Sequence, residues 1–344
     1  EHAVMNFLTE TLKMLNVNNF ETIAFNLTKP TSQDSKTEQL KDIFTDWQDI
    51  QHLSDIETVN LIRDNKINIL FDLAGYTDGS KIEIFKHRSA PLQIAWLGYS
   101  NSTGVDEMDY IITDPYVLDS NKNYSEKLLQ LPNIWSCHTP IKQEIKIQDL
   151  PALKNGYITF GSFNNFAKIS EETIEIWSDL LLKVKSKLIL KSSNTRSKIE
   201  VKTLLNKFKK KGVNLENIEF LKTTKKFDDH LMCYNRVDIA LDTFPYNGAT
   251  TSFESVWMGV PVLTIKGKTF NSRYGYSINK NLNLDNFIAF NKNDFIQKAI
   301  SNSSNLNALN KLRKNLRDLS LESALFDIKK FNANFLKIIN KVIT

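Results

Sequence analysis

An α/β protein of two domains, each a parallel β-sheet covered on both faces by helices, is the fold class this sequence predicts. Three observations lead there. Short, β-rich apolar runs alternate with segments of helical periodicity. The runs are nearly continuous in apolar residues, the mark of strands buried on both faces. The alternation occurs twice, interrupted by Thr139-Pro140 and Leu150-Pro151 around a polar, charged stretch. The expected divisions are a first domain over 1–138, a linker over 139–156, a second domain over 157–321, and a helical tail over 322–344 that packs back on the first domain. Ligands in such sheets sit beyond the carboxyl ends of the strands, so a cleft between two facing domains is the expected site.

Taken in order, the chain opens at Glu1 on an amphipathic segment, Ala3–Leu15. An upstream strand or domain is expected before it. Strand candidates in the first half are Phe20–Phe25, Ile67–Leu73, Leu92–Leu97 and Tyr110–Thr113, with a helix over Asp55–Arg63. The second half offers strands Tyr157–Gly161, Lys187–Leu190, Ile218–Leu221, Val237–Leu241, Pro261–Ile265 and Phe287–Phe290. Helices are expected over Glu171–Val184, Ser197–Lys211, Asp228–Tyr234, Ser252–Met258 and, at the end, Ser323–Val342. No internal repeat of solenoid length is visible.

Composition narrows the function. The 344 residues exceed what one core usually holds. A net charge of +5, from dispersed lysines, slightly favours anionic small molecules and argues weakly for nucleic acid. The two cysteines, Cys137 and Cys233, form no CxxC and no disulfide framework, so a reducing compartment is expected. With no apolar run of membrane-spanning length and no leader, the expected location is the cytoplasm, with no membrane partner.

The most informative stretch is Val237-Asp-Ile-Ala-Leu-Asp-Thr-Phe-Pro-Tyr-Asn-Gly-Ala-Thr-Thr-Ser-Phe-Glu254. A buried strand ends at Leu241, a Pro/Asn/Gly loop follows, and Thr250-Thr251 opens a helix. Helix N-termini present free N–H groups and a positive partial charge, which suits phosphate. Glu254, one turn in, can accept from a ribose hydroxyl. The same spacing also reads as a capping box, with Thr251 as N-cap and Glu254 at N3, and that needs no ligand. The second stretch, Phe160-Gly-Ser-Phe-Asn-Asn-Phe-Ala-Lys168, ends a strand and carries Asn164, Asn165 and Lys168 on its loop. Lys168 there can neutralise a departing diphosphate, or can be one solvated lysine among many. His230, at the start of the preceding helix, can meet a base or a phosphate, or can be a surface histidine. Gly267-Lys268-Thr269 lacks the upstream glycine of a phosphate loop. There is no GxGxxG after a strand, no HExxH and no His/Cys cluster at metal spacing, so no catalytic metal is expected.

Further matches run through the first half: Phe71-Asp-Leu-Ala-Gly-Tyr-Thr77, Arg88-Ser-Ala-Pro-Leu-Gln-Ile-Ala-Trp-Leu-Gly-Tyr99, Thr103-Gly104, Met108-Asp-Tyr-Ile-Ile-Thr-Asp114 and Tyr124-Ser-Glu-Lys-Leu128. With the two stretches above, Trp257–Pro261 and Ser272-Arg273, they resemble the bacterial branch of the O-linked N-acetylglucosamine transferase family, the SPINDLY-like proteins of glycosyltransferase family 41. The resemblance covers nearly the whole chain. It implies the GT-B architecture of two facing Rossmann-like domains and an inverting, metal-independent sugar transfer. It assigns Thr250 and Thr251 to the donor diphosphate, Glu254 to the ribose, and Lys168, with Asn165 beside it, to the leaving group. It also implies that His230 and the backbone near Lys225 face the nucleotide, and that Leu97-Gly98 line the sugar. His2 matches a histidine near the reacting centre, as a base or as an orienting group. Ala249, Asn165 and Ser100 depart from the animal or usual pattern and bear on the donor's sugar and base. The helical repeats that present protein acceptors in the family lie outside this sequence.

The expected reaction is transfer of N-acetylglucosamine from UDP to Ser or Thr of a protein. Fucose from GDP and glucose from UDP to Asn are the alternatives within the class, and a non-catalytic nucleotide-sugar-binding scaffold is the alternative outside it. Without a metal, Lys168, the Thr250-Thr251 helix end and Arg273 must meet the growing negative charge.

Overall fold

The computed structural model describes residues 4–29, 35–118, 120, 122–192 and 198–343. They form two compact units, residues 1–139 with 326–344, and residues 140–325. The first contains α1 (Met5–Val17), β1 (Ile23–Asn26), α2 (Ser35–Lys41), β2 (Asp46–Asp49), α3 (Asp55–Asp64), β3 (Ile69–Asp72), α4 (Glu83–Lys86), β4 (Leu92–Ala95), β5 (Tyr110–Thr113) and β6 (Lys127–Gln130). The second contains α5 (Pro151–Asn155), β7 (Ile158–Ser162), α6 (Glu171–Lys183), β8 (Ser186–Leu190), α7 (Lys198–Lys210), β9 (Ile218–Phe220), α8 (Phe227–Met232), β10 (Ile239–Leu241), α9 (Thr250–Trp257), β11 (Val262–Ile265), α10 (Tyr274–Asn281), β12 (Ile288–Ala289), α11 (Lys292–Ser304) and α12 (Leu306–Glu322). The chain then returns to the first unit as α13 (Ile328–Ile343).

All described strand pairs are parallel. The first unit holds a β1-β2 pair and a four-stranded sheet in the order β3-β4-β5-β6. Phe335 of α13 packs in it against Trp96, with ring centroids 4.7 Å apart, and against Phe71 at 6.2 Å. Thr11 on α1 donates to Asn332 on α13 at 2.9 Å. Two strands of this unit carry no apolar run that would announce them. The Asp-Trp-Gln-Asp of β2 and the Lys-Leu-Leu-Gln of β6 are recruited by pairing with β1 and β5.

The second unit is one six-stranded sheet, ordered β12-β11-β10-β7-β8-β9. Its central strands are buried throughout because helices cover them: β7 at all five positions, β10 at all three and β11 at all four. Phe160, Trp177, Leu188, Phe208, Leu263 and Phe295 lie in one core between sheet and helices. Ser170 caps α6 by accepting from the Thr173 N–H, and Pro151 starts α5 where a missing N–H costs nothing.

Residues 140–156, expected as a linker, belong to the second unit. Their backbone is gripped by α12: Arg313 Nε donates to Gln148 O at 2.8 Å and Arg317 Nη2 to Ile145 O at 2.8 Å. Prolines and polar residues marked irregular backbone here, while two arginines far along the chain satisfy its carbonyls. Among the described residues no helix is long and apolar enough to cross a membrane.

Candidate active site

The strand order of the second unit reverses direction between β7 and β10. At such a switch point the two connections diverge to opposite sides and leave a crevice at the carboxyl ends of the strands. The two loops that flank it are 163–168 after β7 and 242–249 after β10. A small pocket opens between them, lined by Ser162, Asn164, Tyr234, Asp242 and Thr251 among others.

Asp242, buried at the end of β10, shapes the second loop. Its Oδ1 accepts from the Gly248 N–H at 2.7 Å and the Thr243 N–H at 2.9 Å, and its Oδ2 from Thr264 Oγ1 at 2.8 Å. Burial pushes its carboxyl up to about 6, against the pull of those donors and of Lys168. The loop so folded delivers the chain into α9 with Ala249 at the N-cap and no side chain capping the first turn. Ser252 N–H donates to Ala249 O at 2.9 Å, and the N–H groups of Thr250 and Thr251 are left for water or a ligand. The capping-box reading of Thr251 and Glu254 fails: the helix begins at Thr250, Thr251 Oγ1 donates to Asn164 Oδ1, and Glu254 turns elsewhere.

Lys168 ends a 3-10 turn in the first loop and reaches the second. Its Nζ donates to Asn247 O at 2.9 Å and lies 4.1 Å from the centre of the Tyr246 ring. Burial pulls the ammonium down to about 8, with the Asp242 carboxylate opposing. A cation is thus held three residues before an uncapped helix start.

Behind this pair lies a buried polar web. Glu254 Oε2 accepts from Tyr234 OH at 3.1 Å and lies 3.0 Å from His230 Nε2. His230 Nδ1 meets the ammonium of Lys191, the residue after β8. His230 also stacks on Phe227, centroids 6.1 Å apart.

The remaining expected residues divide. Arg273 is buried at the start of α10, and its Nε donates to Gly267 O at 2.8 Å. Its loop touches the β10–α9 loop, where Asn247 N–H donates to Asn271 O at 2.9 Å. Asn165 is exposed and its side-chain oxygen accepts from the Ala167 N–H of its own turn. The inward residue is its neighbour Asn164, which bridges Thr243 and Thr251. Lys225 is exposed ahead of α8. Leu97 and Gly98 belong to the first unit, where they bend the chain after β4: Leu97 has φ 78° and Gly98 N–H donates back to Trp96 O at 3.0 Å. His2 lies outside the described residues.

Lys191, Tyr234, Asp242 and Asn164 were not singled out as site residues. The signal available for two of them was position, since Lys191 and Asp242 each stand directly after an apolar strand at the edge where ligands bind. Among the described residues no three His, Cys, Asp or Glu side chains cluster as metal ligands would.

Comparison with known proteins gives the family and the fold class. The sequence pattern of glycosyl transferase family 41 matches residues 2–139 and 137–335. A probable UDP-N-acetylglucosamine–peptide N-acetylglucosaminyltransferase SPINDLY of Eustoma exaltatum subsp. russellianum is 34% identical over 338 residues, which is 96% of this chain and 37% of that protein. Its namesake from Solanum lycopersicum is 33% identical over 340 residues, 97% of this chain and 36% of its own length. This chain thus spans little more than a third of these curated relatives. An O-GlcNAc transferase variant from Thermobaculum terrenum superposes with a TM-score of 0.90 at 29% identity, over 99% of this chain and 65% of that one. The α/β class with parallel sheets is that of the GT-B glycosyltransferases. With the family pattern matched over residues 2–139 and 137–335, the chain belongs to glycosyl transferase family 41.

Proposed function

We propose that this chain carries the catalytic region of a protein O-glycosyltransferase that moves N-acetylglucosamine from UDP to Ser or Thr hydroxyls, with inversion and without a metal. One observation carries the reading: the Lys168 ammonium is seated beside the uncapped first turn of α9, at the switch point of the second unit. The names of the curated relatives and of the Thermobaculum terrenum protein supply the donor and the peptide acceptor.

In this reading the acceptor hydroxyl oxygen attacks the anomeric carbon, and the bond from that carbon to the diphosphate oxygen breaks. The electron pair leaves with UDP. The N–H groups at Thr250 and Thr251, the Lys168 ammonium and the nearby Arg273 loop meet the charge that develops there. His2 is the candidate to take the hydroxyl proton. Glu254 accepts from the ribose, and Leu97-Gly98 of the first unit line the sugar. The partners are a UDP-sugar and a protein acceptor. The thiols of Cys137 and Cys233 are unbridged, which favours a reducing compartment such as the cytoplasm.

The test is mass spectrometry of acceptor proteins incubated with the chain and UDP-N-acetylglucosamine, GDP-fucose or UDP-glucose in turn. Addition of an N-acetylhexosamine to Ser or Thr, undiminished by EDTA, is the expected result. Fucosylation or Asn glucosylation would replace the donor in this reading. Nucleotide-sugar binding with no modified protein would make the chain a scaffold.

A further inference from the structure

Lys191 is a buried lysine that the reaction above does not use. It follows β8 and is 2% exposed, with its ammonium against His230 Nδ1 and 3.4 Å from Thr224 Oγ1. The Phe163 ring centre is 6.0 Å away. The reading above gives it no ligand contact, and an ammonium in such a place is retained only with compensating partners. Burial holds it below the ordinary lysine range, while Cys233 and Glu254 act in the other direction.

The chemistry of the contact fixes more than one atom. An ammonium has donors and no acceptor. His230 Nδ1 is therefore the acceptor and carries no proton, which puts the ring proton on Nε2. From there it donates to Glu254 Oε2, which also accepts from Tyr234 OH. A proton on Nδ1 would set N–H against N–H in this contact. Glu254 Oε2 is filled by two donors, and Oε1 has no hydrogen-bond partner among the described residues. We propose that Lys191 is a positioning residue for nucleotide recognition: it locks His230 in the Nε2–H tautomer, and this with Tyr234 fixes Glu254 so that Oε1 accepts from a ribose hydroxyl. The proposal rests on the reading of the second unit as a UDP site.

Lys191→Met keeps the apolar stem and removes the donors. Calorimetric titration of the parent and this variant with UDP and with 2′,3′-dideoxy-UDP separates the effects. The parent is expected to prefer UDP by about tenfold, and the variant by less than about threefold, with affinity for the dideoxy analogue changed by no more than about twofold. Nitrogen NMR of 15N-histidine-labelled parent, with the signal assigned through His230→Gln, is expected to show an unprotonated Nδ1 and a protonated Nε2. That spectrum needs no Lys191 variant to fold. An Nδ1-protonated ring, or a Lys191→Met protein that prefers UDP as strongly as the parent, would overturn this inference alone. A parent that binds neither nucleotide would overturn the UDP reading and this inference with it.

Discussion

The loops of the candidate site in the second unit and the turn after β4 in the first are built in opposite ways. In the second unit, side chains do the shaping: Asp242 ties the loop after β10, Lys168 spans from one loop to the other, and Lys191, His230, Tyr234 and Glu254 form a closed chain of donors and acceptors. In the first unit, after β4, the backbone does it. Leu97 adopts φ 78°, and Gly98 approaches so closely that an added Cβ would lie 1.8 Å from Leu73 O. Charge management needs titratable groups in fixed states, which only a satisfied network provides. The bend after β4 needs contour alone, and a tight turn supplies it at the expense of backbone strain at Leu97.

That contrast can be broken at three points. Lys168→Ala should strike chemistry first, lowering transfer by about 100- to 1,000-fold with the fold retained. The parent's kcat/KM should fall as pH rises through about 8, where the free enzyme's ammonium is lost, and the variant should lack this limb. The sign for stability is opposite. The depressed pKa means the ammonium opposes folding below about 8, and the opposition fades toward the ordinary value of 10.5 as the unfolded chain comes to bind more protons than the native one. A parent profile flat through this range would detach Lys168 from the mechanism.

Gly98→Ala should strike shape, because backbone on both sides leaves no flexible neighbour to yield. Loss of about 2 kcal/mol or more is expected in denaturant unfolding of the first unit, with UDP affinity unchanged. A variant of parental stability would show that the turn after β4 relaxes freely. The smallest effect is expected from Thr251→Val, which removes a hydroxyl but leaves the helix start: UDP binding weakens by about 1–2 kcal/mol in calorimetry. Equal affinity would assign diphosphate binding to the backbone N–H groups alone.

How much of this the sequence disclosed follows the same division. Buried parallel strands are legible because their apolar runs are continuous, and Tyr110–Thr113 was readable to the residue. The short β2, with Asp at both ends, was not, since its place comes from pairing with β1 and from no pattern of its own. The residues at strand ends, Lys168, Thr250 and Thr251, could be found from topology. Which of two adjacent asparagines turns inward could not: Asn164 is 6% exposed and binds Thr251, while Asn165 caps its own turn. The partners of Lys191 were hidden for a similar reason: Thr224 and His230 lie 33 and 39 residues on, ahead of and within α8.

Arg313 reaches further than its place on α12 suggests. Fully buried, its guanidinium donates to Gln148 O ahead of β7 and, at 2.7 Å, to Val237 O on the approach to β10. One planar cation thus staples the stretch before the first strand of its unit to the approach to the fourth. Trimming that unit at Tyr157 would leave Arg313 Nε without its acceptor, and ending it after α11 would strand these carbonyls without a donor. An excised second unit has to carry residues 140–325 whole.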